Sequence, residues 1–396
     1  MKQIIDMVKD HNSELIALRR DFHAHPELGF EEFRTAKVIE EYLQSLGLST
    51  MRVAKTGVVA LLPGDDPTGP TLLMRADIDA LPVQEETGLL FSSKTEHKMH
   101  ACGHDAHMAM MLTAAKILRK NTNLFKGTIK FVFQPNEEVG GAQIMIDEGV
   151  LENPKVDAAI GLHIWSPLKS GMIGIKSGAV TASMDVFSLT ISGKGGHTGY
   201  PDSAVDPIIC ASNVIMAAQS IQTRFISPMK PIALMFGKIS GGTKNNIIPD
   251  SVCLEGTIRY LYSTKPGAED HPTTRFKELV NLLCASYGCT VSFDIMHEND
   301  AVVNENEMTM LAQEVAIGIV GKDCVVEHAT MAGEDFAAFG ENVPSMFAFI
   351  GTASDKAKST YPHHNPKFTI DEETLPLGVR YLVETALHYF KKREGE

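Results

Sequence analysis

The sequence predicts an α/β protein: a domain with a central sheet covered by helices, interrupted by a smaller α+β domain. Two observations carry this reading. Over the first 165 residues, apolar strand-length runs alternate with helical periods, and such alternation builds a sheet covered on both faces. Between residues 183 and 297 the order changes to β-α-β-β-α-β, a ferredoxin-like split arrangement that can be a complete small domain. At 396 residues the chain is also longer than one hydrophobic core usually serves.

The elements follow in order. The opening MKQIIDMVKDHNSELIALRRDF has charges throughout and reads as one amphipathic helix, not a signal peptide. Residues 33–46 have helical periodicity, stopped by Gly47. Residues 57–64 and 71–79 read as strands, and 105–120, rich in Ala, Met and Leu, as a helix. Residues 127–135 form a buried strand stopped by Pro135, and 157–165 form another. In the middle segment, 184–193 alternates as a strand and 203–222 is a helix with Pro near its start. Strands at 231–242 and 251–261, a helix at 273–288 closed by Gly288, and a strand at 289–298 complete it. The expected organisation is a discontinuous domain, 1–182 and 298–396, with an inserted domain at 183–297.

Thirty-six Lys plus Arg against 49 Asp plus Glu give a net charge of −13. Such a surface repels a phosphate backbone, so nucleic acid is not an expected partner. No apolar run approaches the roughly 20 residues that span a bilayer, so no membrane partner is expected. The six Cys are scattered, with no CxxC pair, and a reducing cytoplasm is the default expectation.

Four short segments concentrate chemistry. HACGHDAHM (100–108) places a Cys and three His beside an Asp. QPNEEVGG (134–141) has two adjacent Glu just past a strand end, GLHIW (161–165) a His on an apolar strand, and YPHHNPKF (361–368) a paired His between prolines. Each alone has a plainer reading: a satisfied core His, a solvated Glu pair, a buried small thiol. Together they suit a divalent transition metal, and their spacing is not that of a zinc finger. Cys102 and His104, two apart, can point the same way from an extended segment. Glu137 and Glu138 are neighbours whose side chains diverge, so one binds metal while the other handles a proton.

With RRDFHAHPELGFEE (19–32), RADIDALPVQEETG (75–88), GKGGHTGYPDSAVDPI (193–208), NNIIPDSVCLEGTIR (245–259) and AGEDF (332–336), these segments resemble the dinuclear-metal aminoacylase and carboxypeptidase family. The branch is that of hippurate hydrolases, N-acyl-amino-acid amidohydrolases and indole-3-acetyl-amino-acid hydrolases. The resemblance implies two divalent metal ions per subunit, held by Cys102, His104, Glu138, His163 and His364, with Glu137 as general base. Zn, Mn, Co and Ni all suit such ligands. Asp79 corresponds to an Asp that orients a ligand His in the wider superfamily; two positions before it this chain has Asp77, not His. His364 is preferred to His363 because it matches the family's H-[SN]-P pattern. The inserted domain is implied to be a lid and the dimerisation surface of a homodimer. Within it, His197 would polarise the scissile carbonyl or its oxyanion, often from the partner subunit, and Asn246 and Arg259 would grip the substrate's free carboxylate.

The implied activity is metal-dependent cleavage of small N-acyl amino acids to a free amino acid and a carboxylic acid. A dipeptidase or carboxypeptidase would use the same metals and lid. A non-catalytic binding protein on a degenerate scaffold is a third reading, opposed by the presence of every implied ligand and of Glu137.

Overall fold

The computed structural model describes residues 2–393; residue 1 and residues 394–396, at the ends of the expected discontinuous domain, lie outside the described residues. The helices, in chain order, are α1 Lys2–Asp10, α2 Asn12–Ala24, α3 Phe33–Ser45, α4 His104–Arg119, α5 Ala142–Asp147, α6 Pro207–Ser220, α7 Pro272–Ser286, α8 Asn306–Val320, α9 Ala337–Asn342 and α10 Leu375–Arg393. The strands are β1 Thr50–Val53, β2 Gly57–Pro63, β3 Thr71–Asp77, β4 Thr128–Gln134, β5 Ala158–Lys169, β6 Ile173–Gly174, β7 Gly178–Ala179, β8 Ser183–Ser192, β9 Gly196–His197, β10 Ile232–Gly241, β11 Ile247–Ile248, β12 Ser251–Tyr260, β13 Thr290–Asn299, β14 Val303–Asn304, β15 Val325–Val326 and β16 Ser345–Ala353. The chain divides into two compact units, one of residues 1–180, 302–329 and 335–396, the other of 181–301 and 330–334.

The larger unit is built on a mixed eight-stranded sheet in the order β1-β2-β4-β3-β5-β16-β6-β15. Its centre, β4-β3-β5-β16, is parallel. Every residue of β3 and β4 is buried, as expected of strands covered on both faces. Leu72 and Met74 enter one core cluster and Leu73 the other, so side chains alternate between two packed layers. Helix α4 is buried almost all round and packs against α2 and α10, as a core helix must.

Two of the differences from the sequence reading concern helices. The N-terminal helix is broken at His11, although His11 N–H still reaches Met7 C=O at 3.2 Å and Leu15 N–H reaches His11 C=O at 2.9 Å. Residues 203–206 are not part of the α-helix: Ser203 ends a short 3-10 turn from Pro201, and α6 starts at Pro207, where Asp206 accepts the Ile208 N–H at 2.8 Å and Pro occupies the first turn.

The smaller unit holds a four-stranded antiparallel sheet in the order β10-β12-β8-β13. Helices α6 and α7 pack on it and on each other. Alternate β8 residues Phe187, Leu189 and Ile191 are buried in the core beneath these helices. Beside the sheet, β9 and β11 form a short antiparallel ribbon that pairs His197 with Ile247.

Candidate metal centre

The segments of chemical interest in the larger unit meet beyond the carboxyl ends of β3 and β4, which lie side by side with Asp77 opposite Gln134. His104 opens α4 directly after Gly103, whose φ is +93°. A Cβ there would lie 2.2 Å from Ile164 Cδ1, so glycine lets the helix start press against β5. His163 projects from β5, and the loop after β4 delivers Glu137 and Glu138. His364 sits in the left-handed region at φ +64°, with its N–H bonded to Ala101 C=O at 2.9 Å.

Possible ligand atoms of Cys102, His104 and His163 lie within 4.8 Å of one another, as do those of Cys102, Glu138 and His364, and those of His104, Glu137 and Glu138. Cys102 Sγ is 3.4 Å from His163 Nε2 and His364 Nε2 is 3.5 Å from Glu138 Oε2. The five expected ligand side chains and Glu137 thus share one neighbourhood. His363 has its Nε2 occupied elsewhere: it accepts the Ser166 N–H at 3.1 Å, and the ring stacks on Trp165.

Backbone carbonyls set the tautomers. His104 Nδ1 donates to Asp79 C=O at 2.9 Å, and His163 Nδ1 donates to Ile164 C=O. Both rings therefore turn Nε2 toward the cluster. His104 Nε2 stands 3.7 Å from Asp77 Oδ2, 3.8 Å from Glu137 Oε2 and 3.9 Å from Glu138 Oε1. Among the described residues, His104 Nε2 and Glu138 Oε1 are buried with no hydrogen-bond partner.

The electrostatics favour positive charge here. Burial opposes a charged His104, but Asp77, Asp79 and Glu138 outweigh it and hold its pKa up at about 10. Burial, with Glu138, Glu137 and Asp77, pushes the Cys102 thiol well above its ordinary range. Burial, with His107 and His363, keeps His163 neutral. Soft and borderline donors with surplus acids and two orphaned buried atoms are the chemistry of a divalent transition-metal site; a cation would replace the proton on His104 and favour the Cys102 thiolate.

The smaller unit carries the other three expected residues. His197 is exposed on β9, and its Nδ1 accepts the Gly199 N–H at 2.9 Å. The neutral ring then bears its proton on Nε2, as a donor. Asn246 adjoins the same ribbon, its C=O accepting the Thr198 N–H at 3.3 Å. Arg259 lies on β12, half-buried, donating from Nη1 to Met331 C=O at 2.9 Å.

Residues 73–388 match the sequence profile of peptidase family M20/M25/M40. This chain belongs to that family. The M20 chain is 37% identical over 383 residues to an N-acetylcysteine deacetylase of Bacillus subtilis, covering 96% of this chain and 97% of that protein. It is 38% identical over 379 residues to a thermostable carboxypeptidase of Saccharolobus solfataricus, covering 94% of each. A solved Bacillus subtilis structure, described as a dinuclear metal-binding peptidase of the M20 family, superposes with a TM-score of 0.83 at 34% identity, over 97% of this chain and 99% of that one. The M20 chain is therefore an amidohydrolase or peptidase by family.

Several residues around the centre carry no assignment from the sequence. His107 is held on both sides: Nδ1 meets Asp77 Oδ1 at 2.6 Å and Nε2 accepts the Ile164 N–H at 2.9 Å. It is a satisfied core histidine in the same motif as His104. Asp77 in turn binds Arg75 Nη1 at 2.7 Å, and both are buried. The signal was in the sequence: Arg75 and Asp77 interrupt an otherwise apolar strand, and buried charges must be paired.

Proposed function

We propose that this protein is a metal-dependent amidohydrolase that cleaves the amide bond of small N-acyl amino acids to a free amino acid and a carboxylic acid. The observation that carries this reading is the pair of orphaned buried atoms, His104 Nε2 and Glu138 Oε1, 3.9 Å apart beside Glu137. The likeness to a deacetylase of N-acetylcysteine supports the substrate class.

In this reading Cys102, His104, Glu138, His163 and His364 hold two divalent ions per subunit, of Zn, Mn, Co or Ni. Bound there, the ions supply Lewis acidity toward a water and toward the amide carbonyl. Glu137 accepts the water's proton at a carboxylate oxygen and returns it to the departing amine nitrogen. Asp79 keeps His104 in the tautomer that presents Nε2. His197 offers its Nε2–H to the carbonyl oxygen as negative charge builds. Asn246 and Arg259 hold the substrate's free carboxylate. Residues 183–297 serve as a ferredoxin-like lid and dimerisation domain of a homodimer, inserted in a catalytic domain of residues 1–182 and 298–396, and the protein works in the cytoplasm.

The test is a panel of N-acetyl, N-benzoyl and indoleacetyl amino acids and unblocked dipeptides, assayed with each metal. Chelation should abolish turnover of the blocked substrates and a divalent ion should restore it, with bound metal followed by elemental analysis. Preference for unblocked dipeptides would favour a peptidase, in keeping with the carboxypeptidase likeness. No turnover on any of them with metal bound would favour a binding protein. Full activity without detectable metal would overturn the reading.

A further inference from the structure

The loop that carries Glu137 and Glu138 is pinned by carboxylates at every turn. Glu32 Oε1 accepts the Asn136 N–H at 3.0 Å, and Asp79 Oδ2 accepts the Glu138 N–H at 3.1 Å. Both ends of the loop then converge on one residue. Asp335 Oδ2 accepts the Gly141 and Ala142 N–H groups at 2.8 and 2.9 Å. Gln134, the last residue of β4, donates its Nε2 to Asp335 Oδ1 at 2.8 Å and Oδ2 at 2.7 Å. Arg75 donates Nη2 to Asp335 Oδ1 at 3.0 Å and Nε to Gln134 Oε1 at 2.8 Å.

The loop is tight. Asn136 has φ +54° and Gly140 +118°, and a Cβ on Gly141 would fall 1.9 Å from Pro135 C=O. A chain folded so closely on itself has few other ways to satisfy its N–H groups. One Asp335 carboxylate oxygen also lies within 4.8 Å of a Glu137 carboxylate oxygen. Asp335 accordingly spans the mouth of the loop.

We propose that Asp335 is a positioning residue for the hydrolytic reaction: it clasps both ends of the 135–141 loop and so holds Glu137 in register with the bound metal and the substrate. This rests on the reading of Glu137 and Glu138 given above. Positional error at the reacting atoms is costly, since a displacement of about 1 Å can lower rate about 10²-fold.

The test uses the full-length metal-loaded enzyme and its Asp335→Asn variant, which replaces one acceptor oxygen by an NH₂ facing N–H donors. Three quantities are read: kcat and KM on the best N-acyl amino acid, bound metal, and amide hydrogen exchange across 134–142. The expected result is a kcat lowered about 10²-fold with KM little changed, and faster exchange confined to the loop. Asp335→Glu, which keeps the carboxylate, should recover part of the rate, and it carries the same measurements if Asp335→Asn does not fold. A folded variant with wild-type exchange in the loop, or with a released loop and wild-type kcat, overturns the proposal. If the wild-type enzyme hydrolysed no N-acyl amino acid while Asp335→Asn released the loop, the substrate reading would fail and the clasp would stand.

Discussion

At the scale of single residues, the two adjacent Glu are expected to separate cleanly. Their Oε atoms face the same His104 Nε2 at 3.8 and 3.9 Å, and Glu138 Oε2 also stands 3.5 Å from His364 Nε2. Glu137→Gln should keep its metal and lose rate by about 10²–10⁴-fold, the range for removing general acid–base catalysis. Glu138→Gln should lose metal affinity first. Parallel elemental analysis and turnover decide this, and exchanged phenotypes would reverse the roles. A second prediction concerns His297, whose Nδ1 meets Asp185 at 2.7 Å and Nε2 meets Asp300 at 3.3 Å. Those two carboxylates lift its pKa to about 10. A raised value means the pairing stabilises fully below the ordinary His range, near 6.5, and is lost as pH rises through about 10. Protection factors in β8 and β13, corrected for the base-catalysed rise in intrinsic exchange, should therefore fall between pH 7 and 10, and His297→Gln should flatten that dependence. The effect is modest, because the side chain is 45% exposed and water screens it. Residues that announced themselves in the sequence were those in dense local motifs, such as Cys102 and His104. Asp335 stood inside the AGEDF segment but showed no role there, because its meaning lies in Arg75, Gln134 and Gly141, all remote along the chain, and no local pattern records a distant partner.

At the scale of elements, periodicity in the sequence was a good guide wherever an apolar stripe or run was long. The expected helix at 33–46 is α3 at 33–45, the expected strand at 251–261 is β12 at 251–260, and the helix expected at 273–288 is α7 at 272–286. Strand β5 runs on to Lys169, past the expected end at 165, because its pairing with β16 continues, through a register shift, to Ala353. The β9–β11 ribbon was not legible: two-residue strands carry no period, and the ribbon exists only through the pairing of Ile247 with His197 and of Ile248 with Gly196. The most consequential element is α4, since its first residue is His104 and its body fills the core. Leu112, fully buried in it, should cost about 2–5 kcal/mol when replaced by Ala. Denaturant unfolding monitored in the larger unit measures this. A loss well under that range would mean that α2 and α10 close the gap.

At the scale of the whole molecule, His197 and Glu137 belong to different compact units. Mixing the inactive variants His197→Ala and Glu137→Gln asks whether one subunit's His197 serves another's metal centre. Recovered activity in mixed oligomers would establish action in trans; subunit exchange without recovery would exclude it. The sheet order has its own outcome. Strand β16 lies between β5 and β6, yet the whole smaller unit is made before it. A ribosome delivers residues in sequence, so β5 emerges long before the neighbour that covers its edge. Until Ser345 appears, that edge has unpaired backbone groups open to other chains, and His364 arrives later still. With His364 as the proposed ligand, translation then imposes a schedule in which metal capture is among the last events of biogenesis. Nascent chains arrested before residue 345 should be protease-sensitive, dependent on chaperones and unable to retain metal, whereas the full 396-residue chain should become protected and loaded together.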